Sequence, residues 1–257
     1  MTVGQYCIKD DYIHREYNGS VDTEEQVFWN AERIRIHEVA QWYEYDWARG
    51  LIQRFGAKSV LDIGCGPGFK LSTLLAPVTE LAVGVDQPSA IALARSRFAE
   101  AVQFVEADLD RLVDHESHPL LSRQYDFITC MGVIEHLADP DPLLAFIKRY
   151  MAPGGYAVIS TCDRDRVRGI NCTMSPKPEH VREWNAHEFQ VYMKQSGFRV
   201  CTFRHLLPER MVPSVFWNMQ ETLLRLGEGR CMFHTMAFLL QTEAADGAGR
   251  DTGDAAE

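Results

Sequence analysis

Asp62, Gly64, Gly66 and Gly68 follow directly on the short β-type run that begins at Ser59, and a helical pattern opens at Phe69. Glycine reaches backbone dihedrals closed to other residues and leaves no side chain between a turn and a ligand lying across it. The stretch Val60-Leu61-Asp62-Ile63-Gly64-Cys65-Gly66-Pro67-Gly68 therefore reads as strand, tight turn and helix start, shaped for a nucleotide-like molecule. Its pattern is D-x-G-x-G-x-G. A dinucleotide fingerprint would need glycine at 69, where Phe69 stands, and a phosphate loop fails because Leu71 replaces the hydroxyl residue after Lys70. A carboxylate at the mouth of the turn repels a pyrophosphate and attracts positive charge.

Two further carboxylates extend the pattern. Asp86 closes the run Leu81-Ala82-Val83-Gly84-Val85 about 24 residues beyond Asp62, near the offset at which an acid reaches ribose hydroxyls in a βαβ unit. Asp108 follows the run Val102 to Glu106, where a carboxylate can accept from the exocyclic amine of adenine. S-adenosylmethionine, which carries an ammonium and a sulfonium, suits an acidic lining of this kind.

The elements that must position these groups are a series of β-runs interleaved with helical ones. The runs are 59–63, 81–85, 102–106, 125–130 and 156–161; a sixth spans 198 to about 203, and a last one spans 231–241 and is expected to be antiparallel. Helical patterns occupy 69–75, 89–98, 141–151 and 185–195, and Pro153-Gly154-Gly155 reads as a helix stop. Such alternation indicates a doubly wound α/β sheet whose ligands sit at the carboxyl ends of its strands. Asp62, Asp86, Asp108, Met131 and Cys162 all fall there.

Ahead of the first strand, residues 1–56 form a helical cap rich in aromatics. Two helices are expected over 23–55 with Asp22 or Thr23 as N-cap, and Tyr12 and Tyr17 as parts of a lid. The main domain covers 57–243, with an insertion at 208–227 that carries an aromatic helix over 214–226. That helix is free to pack on the sheet or on a second copy in a homodimer. The tail 244–257, made of Ala, Gly, Asp, Thr and Glu with one Arg, is expected to be disordered.

Acidic residues outnumber basic ones 36 to 26, a formal charge of −10 that opposes contact with nucleic acid. Seven cysteines without a C-x-x-C pair and without a secretory leader point to a reduced, cytoplasmic protein, and no run is long enough to span a membrane. Within this acidic chain, residues 163–184 concentrate Arg164, Arg166, Arg168, Lys177 and Arg182 beside Trp184. Arginine forks suit phosphate or carboxylate and tryptophan stacks on sugars or rings, so this segment is the expected acceptor-binding element.

With these pieces placed, the sequence resembles the class I S-adenosylmethionine-dependent methyltransferases, in the broad small-molecule type 11/12 group. The resemblance runs from about 56 to 203. It rests on the glycine turn, Gly84-Val85-Asp86, Glu106-Ala107-Asp108, Tyr125-Asp126-Phe127-Ile128, Ile134-Glu135-His136-Leu137 and Pro153-Gly154-Gly155. It implies a Rossmann-like seven-stranded sheet with the last strand antiparallel. The methionine end would lie on the glycine turn, the ribose on Asp86, and the adenine on Asp108 and Leu109. The cofactor contacts it implies are Asp62, Gly64, Cys65, Gly66, Gly68, Asp86, Gln87, Asp108, Leu109 and Met131.

Methyl transfer is a displacement at carbon with a good leaving group, so alignment and exclusion of water are the main demands. An oxygen acceptor also benefits from a base, for which His136 is the first candidate and His180 the second. The exit Thr129-Cys130-Met131-Gly132 lacks the [DNS]-P-P-[YFW] pattern of amino-group methylation on adenine or glutamine. The expected reaction is O-methylation of a hydroxyl on a sugar-containing or anionic metabolite. No metal is expected, because at the positions where catechol-type enzymes place acidic ligands only Asp163 and Asp165 could serve. Two rivals share the sheet: a catalytically silent S-adenosylmethionine-binding scaffold, separated by turnover, and an NAD-linked dehydrogenase, separated by nicotinamide binding.

Overall fold

The computed structural model describes residues 5–16, 29–115, 117–210 and 231–242. Seven strands, β1 (Ser59–Ile63), β2 (Leu81–Asp86), β3 (Gln103–Glu106), β4 (Tyr125–Met131), β5 (Met151–Cys162), β6 (Phe198–Leu206) and β7 (Thr235–Thr242), make one sheet in the order β3-β2-β1-β4-β5-β7-β6. β1 to β5 pair in parallel, while β7 runs antiparallel to both β5 and β6. Strand order reverses between β1 and β4, which opens a crevice at their carboxyl ends, and the glycine turn leaves β1 there.

Alternation along β1 sends Leu61 and Ile63 to one face and Val60 to the other. On the first face lie the helices Asp141–Tyr150 and Ala186–Gln195, with Phe146, Ile147, Phe189 and Met193 buried. On the second lie α1 (Ala31–Val39), α2 (Trp42–Phe55) and α3 (Pro88–Phe98), of which α2 and α3 bury Tyr45, Ile52, Ile91 and Ala94. The two helices named first are α4 and α6; α5 is the short Arg164–Arg168. Each fully buried aliphatic or aromatic side chain contributes about 1.5–3 kcal/mol.

Departures from the sequence reading have local causes. β5 begins at Met151 because Pro153-Gly154-Gly155 forms a bulge inside the strand, where the register jumps from Tyr125 opposite Met151 to Phe127 opposite Tyr156. A Cβ on Gly155 would stand 2.9 Å from the carbonyl oxygens of Ala152 and Asp126, so the bulge requires glycine. The helix α1 starts after Asn30, whose side chain accepts from the amides of Glu32 and Arg33 at 3.1 and 2.9 Å. The expected caps Asp22 and Thr23, Tyr17, the helix over 214–226 and the tail lie outside the described residues. Residues 5–16 lie against the basic segment, with the Ile13 amide donating to Thr173 and the Arg15 amide to Val181. Tyr12 is buried and accepts from the Glu183 amide, so it staples that segment. Among the described residues no helix is long and apolar enough to cross a membrane.

Candidate active site

The glycine turn takes the backbone form its composition anticipates: Gly64, Gly66 and Gly68 have φ of 79°, 56° and 76°. Each is also crowded. A Cβ on Gly64 would meet Val133 Cγ2 at 2.2 Å, one on Gly66 the His37 ring at 2.4 Å, and one on Gly68 the Phe104 ring at 2.9 Å. The turn is thereby wedged between the exit of β4, the helix α1 and the β3 side of the sheet.

Two carboxylates brace it. Asp86 accepts from the Gly66 amide at 2.6 Å and from the Gln87 amide at 2.7 Å, which ties the turn to the end of β2. Asp62 is fully buried and accepts from Thr129 Oγ1 at 2.7 Å and Tyr45 Oη at 2.9 Å; burial pushes its carboxyl up to about 6 despite those bonds. Asp108 is exposed and accepts from the Asp110 amide, and Leu109 Cδ1 comes within 3.7 Å of the Gly64 Cβ position. Cys65 and Met131 turn their side chains into the core. The structure thus gathers Asp62, Asp86, Leu109 and Met131 around the turn.

Sequence reading missed four side chains here. Lys70 is buried, and its ammonium donates to the carbonyls of His37 (2.9 Å) and Ala40 (3.0 Å) and to Gln41 Oε1 (3.3 Å). A lysine on the last carbonyls of a helix is favourable, and it clamps α1 onto the turn. Burial lowers its ammonium to about 8. Gln41 Nε2 donates to the Met131 carbonyl at 3.0 Å, so the same clamp reaches β4. His37 is partly buried with its ring against Gly66, and the desolvation there, with Lys70 alongside, drives its imidazole down to about 2. Glu44 is fully buried with neither oxygen hydrogen-bonded, and burial pushes it up to about 8. A buried, unpartnered carboxyl between Lys70 and Glu135 suits a cationic ligand. Nothing in the order of residues links these four, because each acts across helix and sheet.

At the exits of β4 and β5 the two candidate bases come together. His136 and His180 meet edge to face with ring centroids 4.8 Å apart. His136 Nδ1 donates to the Glu179 carbonyl at 2.8 Å, and His180 Nδ1 donates to Glu183 Oε1 at 2.8 Å. Glu183 also accepts from Ser175 Oγ at 2.7 Å and from the Arg168 fork at 3.2 and 3.3 Å. Burial alone would raise its carboxyl, but the bonds from His180, Arg168 and Ser175 outweigh burial and bring it down to about 2. With Nδ1 committed in both rings, Nε2 is the nitrogen left to accept a proton.

The basic segment is arranged differently from the expectation of a ligand-facing fork. Arg164 is 1% exposed and pairs with both Glu188 oxygens at 2.7 and 3.0 Å. Arg168 is spent on Glu183. Arg182 is buried and donates to the carbonyls of Leu137 (2.9 Å) and Ala138 (2.6 Å), with its guanidinium 4.4 Å from the Tyr6 ring centre. Trp184 is wholly buried; it stacks on Tyr192, and its indole donates to the Tyr6 carbonyl at 2.9 Å. The stacking surface assigned to a sugar is therefore inside the core. Arg166, bound to the Phe233 carbonyl at 2.9 Å, and Lys177 are the exposed basic side chains of the segment. Asp163 and Asp165 are engaged internally: Asp163 caps α5 and meets His205, and Asp165 meets Arg164 and Asn185.

A seven-stranded sheet with an antiparallel β7, a positive-φ glycine turn after β1 and an acidic lining define the class I methyltransferase fold. Residues 36–202 match the family model described as a methyltransferase domain, more than half of the chain, and the chain belongs to that family as an S-adenosylmethionine-dependent small-molecule methyltransferase. A ubiquinone biosynthesis O-methyltransferase of Thiobacillus denitrificans is 34% identical over 110 residues, covering 42% of this chain and 46% of that enzyme. One from Escherichia coli O9:H4 is 26% identical over 210 residues, covering 78% and 83%. Among solved structures, the putative methyltransferase of Haloferax volcanii in complex with its Trm112 activator aligns with a TM-score of 0.60 at 16% identity, covering 88% of this chain and 99% of that one. The N-methyltransferase NodS of Bradyrhizobium japonicum, in complex with S-adenosyl-L-homocysteine, aligns at 0.58 and 14%, with the same coverage. These last two likenesses establish the fold.

Proposed function

We propose that the protein methylates a hydroxyl oxygen of a small anionic metabolite. The observation that carries the reading is the pair His136 and His180 at the exits of β4 and β5, each with Nδ1 tied back and Nε2 left to accept. S-adenosylmethionine supplies an activated methyl group on a sulfonium. Asp86 and the Gly64 to Gly68 turn would hold its ribose and methionine ends, and Asp62, with Glu44 once the cation draws off its proton, would provide the negative lining. His180 takes the acceptor's hydroxyl proton on Nε2, and Glu183 stabilises the imidazolium so formed. The acceptor oxygen, freed of its proton, would then be ready to take the methyl group that the bound cofactor would supply. The curated relatives, named as O-methyltransferases, support oxygen over nitrogen as the acceptor atom.

Lys177 and Arg166 support an anionic acceptor. Lys177 is exposed and close enough to Glu179 to lower its carboxyl. The sugar half of the sequence expectation is left without a side chain to carry it, since Trp184 is in the core. Incubation with methyl-labelled S-adenosylmethionine and a metabolite extract split by anion exchange tests the reading. Label in the retained fraction, as a methyl ether, is expected; label only in the unretained fraction or on nitrogen overturns it.

A further inference from the structure

Glu135, His136 and His180 each bring one atom able to ligate a metal to within 4.8 Å of the other two. Glu135 and His180 are each only 4% exposed, and His136 is half-buried. The hydrogen bonds behind the two imidazoles fix their state. Each Nδ1 carries the proton, toward a carbonyl for His136 and a carboxylate for His180. Each Nε2 therefore presents a lone pair, and the oxygen behind each ring fixes its orientation, which is how proteins prepare a histidine to bind a metal. The third group supplies an independent sign. Glu135 Oε2 is buried with no hydrogen-bond partner, an arrangement that costs free energy and that a cation relieves.

We propose that Glu135, His136 and His180 form a site for one divalent first-row transition-metal ion of the Zn²⁺, Co²⁺ or Fe²⁺ kind. Two imidazoles and one carboxylate suit such ions better than Mg²⁺ or Ca²⁺, which favour all-oxygen sets. Three protein ligands also leave coordination positions open, as in catalytic rather than structural sites. A second triplet, Cys162, His180 and Glu183, is equally compact, but Glu183 Oε1 already accepts from Ser175, His180 and Arg168 at 2.7, 2.8 and 3.2 Å. The sequence reading looked only for acidic ligands and so passed over this histidine-based set.

The role of the ion rests on the O-methylation reading. An acceptor hydroxyl bound at the open position loses its proton to solvent near neutral pH. Its oxygen then forms the bond to the methyl carbon, the carbon–sulfur bond breaks with its electron pair going to sulfur, and one proton is released per turnover. The ion then takes the place of His180 as the group that activates the hydroxyl.

The test uses the full chain, stripped with a chelator and dialysed against Zn²⁺ or Co²⁺ alone, with S-adenosylmethionine binding as the check on folding. One equivalent of Zn²⁺ per chain is expected, unaffected by excess Mg²⁺, and the Co²⁺ form should show visible bands without a sulfur-to-cobalt transition. His136→Ala and Glu135→Gln should each weaken uptake at least about tenfold while cofactor binding is kept. No stoichiometric uptake by the wild type, uptake unchanged in His136→Ala, or a sulfur-to-cobalt band reporting Cys162 each overturns the site. A protein that takes up one ion yet methylates no hydroxyl supports the site and counts against the O-methylation reading. A stripped protein that takes up no ion yet methylates at full rate overturns the site and leaves that reading intact.

Discussion

The two sides of the crevice treat their buried acids in opposite ways. Beside the glycine turn, burial pushes Glu44 to about 8 and Asp62 to about 6, and neither Glu44 oxygen has a partner. Beyond β5, Glu183 is as deeply buried, yet the donors around it hold it down at about 2. One side holds raised acids whose ionisation a cationic cofactor would favour. The other satisfies its charges internally, with Arg164 on Glu188 and Arg168 on Glu183, and so becomes a stiff frame behind His136 and His180. Arginine in a binding segment is thus not evidence of a ligand until its own carboxylates have been placed.

The sharpest way to break this contrast is Arg164→Ala. It strands Glu188 in the core, and a loss of about 3–5 kcal/mol in urea unfolding is expected, with cofactor affinity of the folded protein unchanged. Lost turnover at full stability would instead make Arg164 an acceptor ligand. On the cofactor side, Gly64→Ala places a Cβ against Val133 at a φ of 79°. S-adenosylmethionine affinity should fall about 100-fold by calorimetry, since strain and collision together amount to about 3 kcal/mol. Val133→Ala on top should restore part of it; no loss at all would mean the turn does not bear the ligand.

The pH dependence separates the two sides by sign. Glu183 is depressed in the folded protein, so its stabilisation is present above the ordinary carboxyl value near 4.5 and is lost as pH falls toward about 2. Glu44 is raised, so stability declines as pH rises from about 4.5 to about 8, where the unfolded chain is ionised and the folded one is not. Unfolding midpoints across pH 3–9 should show the first slope removed by Glu183→Gln and the second flattened by Glu44→Gln. A cation favours ionised Glu44, so cofactor affinity should rise over the upper window in the wild type; a flat profile contradicts its placement. The smallest effect is expected at Arg166, where Arg166→Ala should lower acceptor turnover a few-fold and leave cofactor affinity unchanged. Identical kinetics would remove it from the acceptor side.

What was legible in the sequence was what is local. The strand, turn and helix around Asp62 to Phe69 are specified by neighbours in the chain, and the carboxylates at the strand ends follow from the topology those strands impose. The antiparallel β7, expected from the run 231–241 and implied again by the resemblance, is present over Thr235–Thr242. Lys70 on the carbonyls of α1, Tyr45 on Asp62, and Arg164 on Glu188 join elements far apart in sequence, and no period or spacing records them. Arg164 and Trp184 look the same in the chain whether they face solvent or the core. The partner acids Glu183 and Glu188, interleaved with the basic residues, were the available signal, and their meaning depends on how residues 163–188 fold back under residues 5–16.

The central claim is that cofactor and acceptor are served by separate halves of one crevice. The most direct test is calorimetric S-adenosylmethionine binding beside methyl turnover in His180→Gln. Affinity within about twofold of wild type, with turnover reduced about 100-fold or more, is the expected result. Affinity falling in step with turnover would contradict it.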